Sequence, residues 1–155
     1  MINEKATGFR NNIQYDDYVV IVPFEDNYVI TQKQYKPGAK MVCYGFPAGF
    51  KKKNETSLVA AKRELFEETG YRAQGWIKVG VFYDNVSVSS AKFTIFIATK
   101  LKQSRNEENS DKSESKIENI RTKLRSLGLI KMKGACMALA CELFLRLKPT
   151  INFNK

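Results

Sequence analysis

The sequence contains no histidine at all. That removes Ser-His-Asp triads, Cys-His pairs and His-ligated zinc from consideration. Its three cysteines include no Cys-x-x-Cys pair, so neither a disulfide framework nor a zinc knuckle is encoded. The opening stretch, MINEKATGFRNN, lacks the apolar core of a secretory signal. The longest apolar run, GACMALACELFLRL, is broken by Glu142 and Arg146 and is too short to span a bilayer. These absences together predict a cytoplasmic protein with no membrane association. What is present is ordinary for a globular chain of 155 residues: 43% apolar and 27% charged side chains. That length suits a single domain with a real core. Lysine and arginine total 26 against 16 acids, a net charge of +10, which favours a polyanionic partner such as a nucleotide, nucleic acid or anionic lipid.

Residues 1–16 read as a loose polar segment and 17–155 as one domain. YVVIVPF and NYVITQKQY, parted by Glu25 to Asn27, predict an antiparallel strand pair. MVCYGFP predicts a third strand that Pro47 stops. Leu58, Ala61, Leu65 and Phe66 recur at helical spacing between Thr56 and Gly70, which predicts an amphipathic helix with a glycine stop. WIKVGVFY and AKFTIFIAT predict two further strands, and Leu101 to Lys116 a polar surface loop. KIENIRTKLRSLG predicts a short helix ending at Gly128, and Ala135 to Leu147 a helix packed into the core. Strands, helix, strands and helices in that order predict an α/β fold with a mixed sheet flanked by helices.

Acid is concentrated in the first helix of this basic chain. Glu55, Glu64, Glu67 and Glu68 fall within fourteen residues, and the last three share one face by their i, i+3, i+4 spacing. Like charges on one face repel unless something neutralises them, and carboxylate oxygens suit a hard divalent cation. Such ions bridge phosphate oxygens and activate water. Gly49 opens the loop before this helix, where a glycine lets the main chain approach closely.

Written out, Gly49, Glu55, Arg63-Glu64-Leu65, Glu67-Glu68 and Gly70-Tyr71 carry the spacing GX5EX7REUXEEXGU, with U apolar and Tyr71 the one soft match. This resembles the Nudix box at every specified position. Seven fixed residues at average usage coincide by chance roughly once in 10⁸ windows. The resemblance implies an α/β/α sandwich and hydrolysis of a nucleoside diphosphate linked to another moiety, with Mg2+ or Mn2+ and a water nucleophile. It implies Glu64 and Glu68 as metal ligands, Glu67 as ligand or outer helper, Arg63 as the residue that orients a glutamate, and Glu55 as structural. A carbonyl of Ala48 or Gly49 would complete the coordination. The family often adds a late glutamate as base or ligand; here Glu107, Glu108, Glu114 and Glu118 are available, with Glu114 and Glu118 nearest its acidic stretch.

QKQYKPGAK and, after it, GFPAG resemble the lead-in of ADP-ribose pyrophosphatases, and the stretches from Phe82 to Ala98 and from Ser126 to Leu143 resemble later parts of the same subfamily. The departures are Lys36 in place of an arginine, Gly45 and Phe46 where a glutamate and leucine are usual, and no marker proline near Val86 and Ser87. The short N-terminus also departs from the extension that builds the subfamily's swapped homodimer. Lys36, Tyr35, Phe50 and Lys51 are the substrate-binding candidates: lysines for phosphates or a ribose, aromatics for stacking on a base. The plain alternatives are a strand-end lysine, a solvated charge run at Lys51 to Lys53, and core packing for the aromatics, the last preferred for Phe82 and Trp76. Cys136 and Cys141 read as small apolar residues of the last helix. The expected substrate is ADP-ribose or a nucleotide sugar. Nucleoside triphosphates, RNA 5′ ends, or a silent nucleotide- or RNA-binding domain remain as alternatives that the positive charge keeps open.

Overall fold

The computed structural model describes residues 15–87, 89–104 and 117–150. The loose segment expected at the N-terminus falls outside them except for its last two residues. So does most of the expected polar loop, including Glu107, Glu108 and Glu114. Among the described residues the strands are β1 (Tyr18–Glu25), β2 (Tyr28–Lys36), β3 (Met41–Gly45), β4 (Ala48–Phe50), β5 (Tyr71–Tyr83), β6 (Lys92–Gln103) and β7 (Glu118–Lys123). The helices are α1 (Ser57–Thr69), α2 (Leu124–Leu127) and α3 (Ala135–Leu147), with a 3-10 turn over Lys148–Thr150.

The strands form one mixed sheet whose path runs β3-β2-β1-β6-β5, with β4 beside β1 and β7 beside β2. Neighbours are antiparallel except β1 and β6, which run parallel from Tyr18↔Phe93 to Pro23↔Ala98. β1 has an almost continuous apolar sequence because both its faces are covered, as a central strand requires. Its alternation sorts the core. Val19 and Ile21 pack with Ala60, Ala61 and Leu65 of α1. Val20, Val22 and Phe24 pack on the other side with Ala140, Cys141 and Phe144 of α3. β6 divides in the same way, Phe96 and Ala98 toward α1 and Phe93, Ile95 and Ile97 toward α3. The layers are therefore helix, sheet, helix, and the expected α/β architecture holds.

Three local expectations are corrected. The segment expected as a helix up to Gly128 is strand β7 over Glu118–Lys123, and then the single turn α2. Ile117, Ile120, Leu124 and Leu127 imitate a helical period, but six residues of β7 pair with β2, and Thr122 shares a 2.7 Å hydroxyl contact with Thr31. The strand expected from Trp76 begins at Tyr71, directly after the helix. β6 runs on through Leu101 to Gln103, residues expected in the loop. β3 ends before Pro47 as expected, and Ala48–Phe50 then adds a short strand, β4, against Tyr18 to Val20. No helix among the described residues is long and apolar enough to cross a membrane.

Candidate active site in the box and an adjoining cleft

The box begins as a turn closed on itself. Glu55 N–H donates to the Lys52 carbonyl at 3.0 Å, and Lys52 N–H donates to a Glu55 carboxylate oxygen at 2.8 Å. Asn54 takes the left-handed conformation the turn needs (φ 66°), which asparagine tolerates better than most residues. Thr56 then caps α1, its side chain accepting the Val59 N–H at 3.3 Å. Gly70 ends the helix in the left-handed region (φ 73°), its N–H bonded to the Phe66 carbonyl at 2.9 Å. Leu65, the apolar residue inside the box, is fully buried against β1.

Arg63 is the hub of the acidic face. Its Nε and Nη2 hold the two Glu55 carboxylate oxygens, each at 2.9 Å, in a bidentate fork. Nη1 reaches Glu64 at 2.5 Å and Glu67 at 3.0 Å, and Nη2 also donates to the Phe50 carbonyl at 2.9 Å. Part of the repulsion anticipated among the glutamates is thus offset from within the motif, one guanidinium serving Glu55, Glu64 and Glu67. The guanidinium holds Glu55 down to about 2. Glu64 moves the other way: burial raises it, and Arg63 opposes that rise only in part.

Gly49 is explained by Glu64. A Cβ on Gly49 would lie 2.1 Å from the Glu64 carboxyl carbon, so the carboxylate rests on bare main chain. Glu68 turns to a different set of partners. It accepts the Ala48 N–H at 3.1 Å and the Gln32 amide at 3.2 Å, while Asn119 donates to the Glu68 carbonyl at 2.9 Å and contacts Gln32 at 3.3 Å. Three carboxylates on one helix therefore do not converge. No group of three or more acidic or thiol residues among those described forms a ready metal cage in this conformation. The physical reason is visible: Arg63 Nη1 binds both Glu64 and Glu67, and Glu68 is held by β2 and β4.

A cleft of about 320 Å³ opens next to Glu68, within the size range of small-molecule sites. Gln32, Gln34 and Lys36 line it from β2, Cys43 and Gly45 from β3, and Lys133, Gly134, Cys136 and Met137 from the start of α3. Met137 packs where a Gly45 side chain would go, 3.2 Å from that Cβ position, and its sulfur accepts the Phe46 N–H at 3.4 Å. At the other end of the α3 start, Cys136 neighbours Tyr18, whose hydroxyl donates to Asp84 at 2.7 Å; burial raises both the phenol and the thiol.

The residues expected at the site are thus distributed unevenly. Arg63 holds Glu64 and Glu67 together, Gly49 abuts Glu64, and Glu68 bonds instead to Ala48 and Gln32. Lys36 lines the cleft, four residues along β2 from Gln32. Tyr35 is half exposed and one step out of phase with the cleft-lining positions of β2. Phe50 is exposed and lies edge-on to Tyr18 at 6.0 Å. Lys51 pairs with Asp17 at 3.7 Å. Glu118 pairs with Lys33 at 3.3 Å, and its strand neighbour Asn119 is the residue that reaches the box. Phe82 and Trp76 pack as expected, against Phe93 and Phe96. Sequence reasoning missed Gln32, Gln34, Asn119, Lys133 and Met137. A signal for the first two was there: polar residues alternating within an otherwise apolar strand, buried by segments much later in the chain.

The Nudix-domain profile matches residues 14–133. The chain is 32% identical over 96 residues to an uncharacterized Nudix hydrolase of Schizosaccharomyces pombe, an overlap covering 61% of this chain and 47% of that protein. It is 30% identical over 100 residues to the ADP-ribose pyrophosphatase of Bacillus subtilis, covering 64% of this chain and 54% of that one. The chain spans about half the length of the curated relatives it matches. A crystal structure described as an ADP compounds hydrolase aligns at a TM-score of 0.74 and 26% identity, covering 86% of this chain and 74% of that chain. The intact box, the helix-sheet-helix layers and the extent of the profile match make the chain a member of the Nudix family.

Proposed function

We propose that the protein is a metal-dependent pyrophosphohydrolase acting on a nucleoside diphosphate linked to another moiety, with ADP-ribose or a nucleotide sugar as the preferred substrate. The products would be AMP and a sugar phosphate. The observation that carries this reading is the Glu64 carboxylate seated on Gly49 beside the Arg63 hub, an arrangement with no evident use in a merely structural helix. The named relative and structural neighbour that act on ADP compounds support the choice of substrate. Three free cysteines fit a reducing, cytoplasmic setting.

Nudix hydrolases in general use a divalent metal. The all-oxygen donor set fits a hard cation such as Mg2+ or Mn2+, and Glu64, Glu67 and Glu68, with a main-chain carbonyl of Ala48 or Gly49, would hold it. The ion would supply charge neutralisation at the diphosphate and a more acidic water. Arg63 keeps Glu64 and Glu67 aligned, and Glu55 fixes Arg63. Gln32 and Asn119 hold Glu68 and its helix end against β2. The cleft beside Glu68 would receive the nucleotide and exclude bulk water from the scissile bond. Glu118, paired to Lys33, is a less direct candidate for the base than the box glutamates.

A second reading, hydrolysis of nucleoside triphosphates or RNA 5′ ends, draws on the +10 charge and on Lys51 to Lys53. The test is a substrate panel with Mg2+ or Mn2+: ADP-ribose, ADP-glucose, GDP-mannose, NADH, nucleoside triphosphates and 5′-triphosphate RNA, with products resolved by chromatography. AMP from ADP-ribose, lost in Glu68→Gln, is the expected result. Preferential turnover of triphosphates or RNA, with steep salt dependence, would select the second reading. Binding with no metal-dependent turnover of any member would overturn both.

A further inference from the structure

We propose that the cleft beside Glu68 selects a nucleotide carrying an additional phosphate on its ribose, and that Lys36 and Lys133 are the residues that read it. This rests on the pyrophosphohydrolase reading and adds a feature of the substrate to it.

The cleft has two ends of different character. At one end Gln32 is bonded to Glu68, and the proposed function puts the scissile diphosphate at that end. From Gln32 the β2 wall continues through Gln34 to Lys36, four residues or about 13 Å along a strand. That length lets a nucleoside lie between the box and Lys36. Lys133 comes from the opposite wall, just before α3 begins. Among the described residues that line the cleft Glu68 is the one acid, and it is engaged at the box end.

The two lysines differ from others nearby. Lys33 is paired with Glu118 and Lys51 with Asp17, whereas neither Lys36 nor Lys133 has an ion-pair partner among the described residues. Both are exposed to solvent, and two cations on the walls of one cleft give its mouth a positive potential. α3 also starts at this wall, at Gly134, with no side-chain cap, so its first amides add to the same field. An unmodified nucleoside offers nothing anionic at this distance from its diphosphate. A base is uncharged, so the ribose hydroxyls are where a further phosphate is carried. A 2′- or 3′-phosphomonoester has this chemistry, and so does the 3′-phosphodiester of an oligonucleotide; the monoester, with close to two negative charges against the diester's one, suits a pair of lysines better.

The test uses the full chain and two kinds of matched pair. Calorimetric titration compares AMP with adenosine 2′,5′-bisphosphate and adenosine 3′,5′-bisphosphate. Turnover with Mg2+ or Mn2+ compares ADP-ribose with its 2′-phosphate, and dephospho-coenzyme A with coenzyme A. Each is run on the parent, Lys36→Met, Lys133→Met and the charge-keeping Lys36→Arg, with circular dichroism to verify folding. The expected result is a bisphosphate preference of about tenfold, the worth of one charge-assisted hydrogen bond. The preference should fall toward one in both methionine variants and persist in Lys36→Arg. Equal affinity for AMP and both bisphosphates in the parent would overturn the proposal. So would a methionine variant that weakens AMP and bisphosphate by the same factor, since the lysines would then act on the shared 5′-phosphate. Turnover without phosphate preference leaves the hydrolase standing and removes this inference; phosphate preference in binding without any turnover does the reverse.

Discussion

The box and the cleft adjoin at Glu68 but are assembled in opposite ways. In the box, Gly49, Glu55, Arg63, Glu64 and Glu67 lie within one loop and one helix, and most of their bonds span eight residues or fewer. In the cleft, Gln32 meets Glu68 across 36 positions and Asn119 across 87, and the opposing wall arrives only with α3. Local assembly makes the box rigid before anything docks on it. Distant assembly lets the cleft change its lining without disturbing the chemistry beside it. A family that keeps one reaction and varies its substrates is well served by that division.

Four changes would break or sharpen the contrast. The largest effect is expected from Arg63→Ala, which leaves the largely buried Glu55 and Glu64 carboxylates without their partner, beside the exposed Glu67. The loss should be about 3–5 kcal/mol, the usual cost of removing one partner from a buried ionic network, read from urea unfolding. Next comes Gly49→Ala. Its Cβ displaces the Glu64 carboxylate, so Mn2+ affinity measured by titration should fall roughly 10- to 100-fold. Gly38→Ala, with nothing near its Cβ, should stay within about 0.5 kcal/mol of the parent. On the cleft side, Asn119→Ala removes bonds to Glu68 and Gln32, and its thermal midpoint should drop by an amount equivalent to about 1 kcal/mol.

A separate effect is expected on the acid limb of stability. Glu55 is held at about 2, below its ordinary value of 4.5. Its contribution is therefore complete above the ordinary value and fades as pH falls through 2. Glu55→Gln should flatten the stability profile between those limits, measured as unfolding midpoint against pH. An unchanged slope there would mean that Arg63 stabilises the ionised Glu55 less than the geometry implies.

The same contrast governs what the sequence could disclose. Leu58, Ala61, Leu65 and Gly70 specify α1 through periodicity and a left-handed stop, and the fixed spacing of the box comes from that helix and its capped loop. β1 and β2 were legible because both are rich in β-branched and aromatic residues. The stretch from Ile117 to Leu127 was misread because its apolar spacing is helical, and only pairing with β2, nearly ninety residues earlier, makes it a strand. β4 is three residues long and exists because Tyr18 to Val20 accept it. Lys133 and Met137 carry no local mark of a binding site; the fold brings them opposite Gln34 and Lys36. Within the box, the spacing disclosed which residues act together but not that Arg63 would hold Glu64 and Glu67 while Glu68 faced β2.

The one parallel pairing among the described strands also sets a kinetic course for the chain. β1 meets β6 only across a separation of 75 positions, from Tyr18↔Phe93 onward. Until then YVVIVPF, apolar on both faces, has no partner on that side. Contacts of such long range slow collapse to the native state, into the millisecond-to-second range for domains dominated by them. During that interval the nascent strand is the part of the molecule most prone to pairing with another chain. The strand that organises both cores once folded is thus the chief hazard while folding, and refolding yield should decline with protein concentration well before native stability is in question.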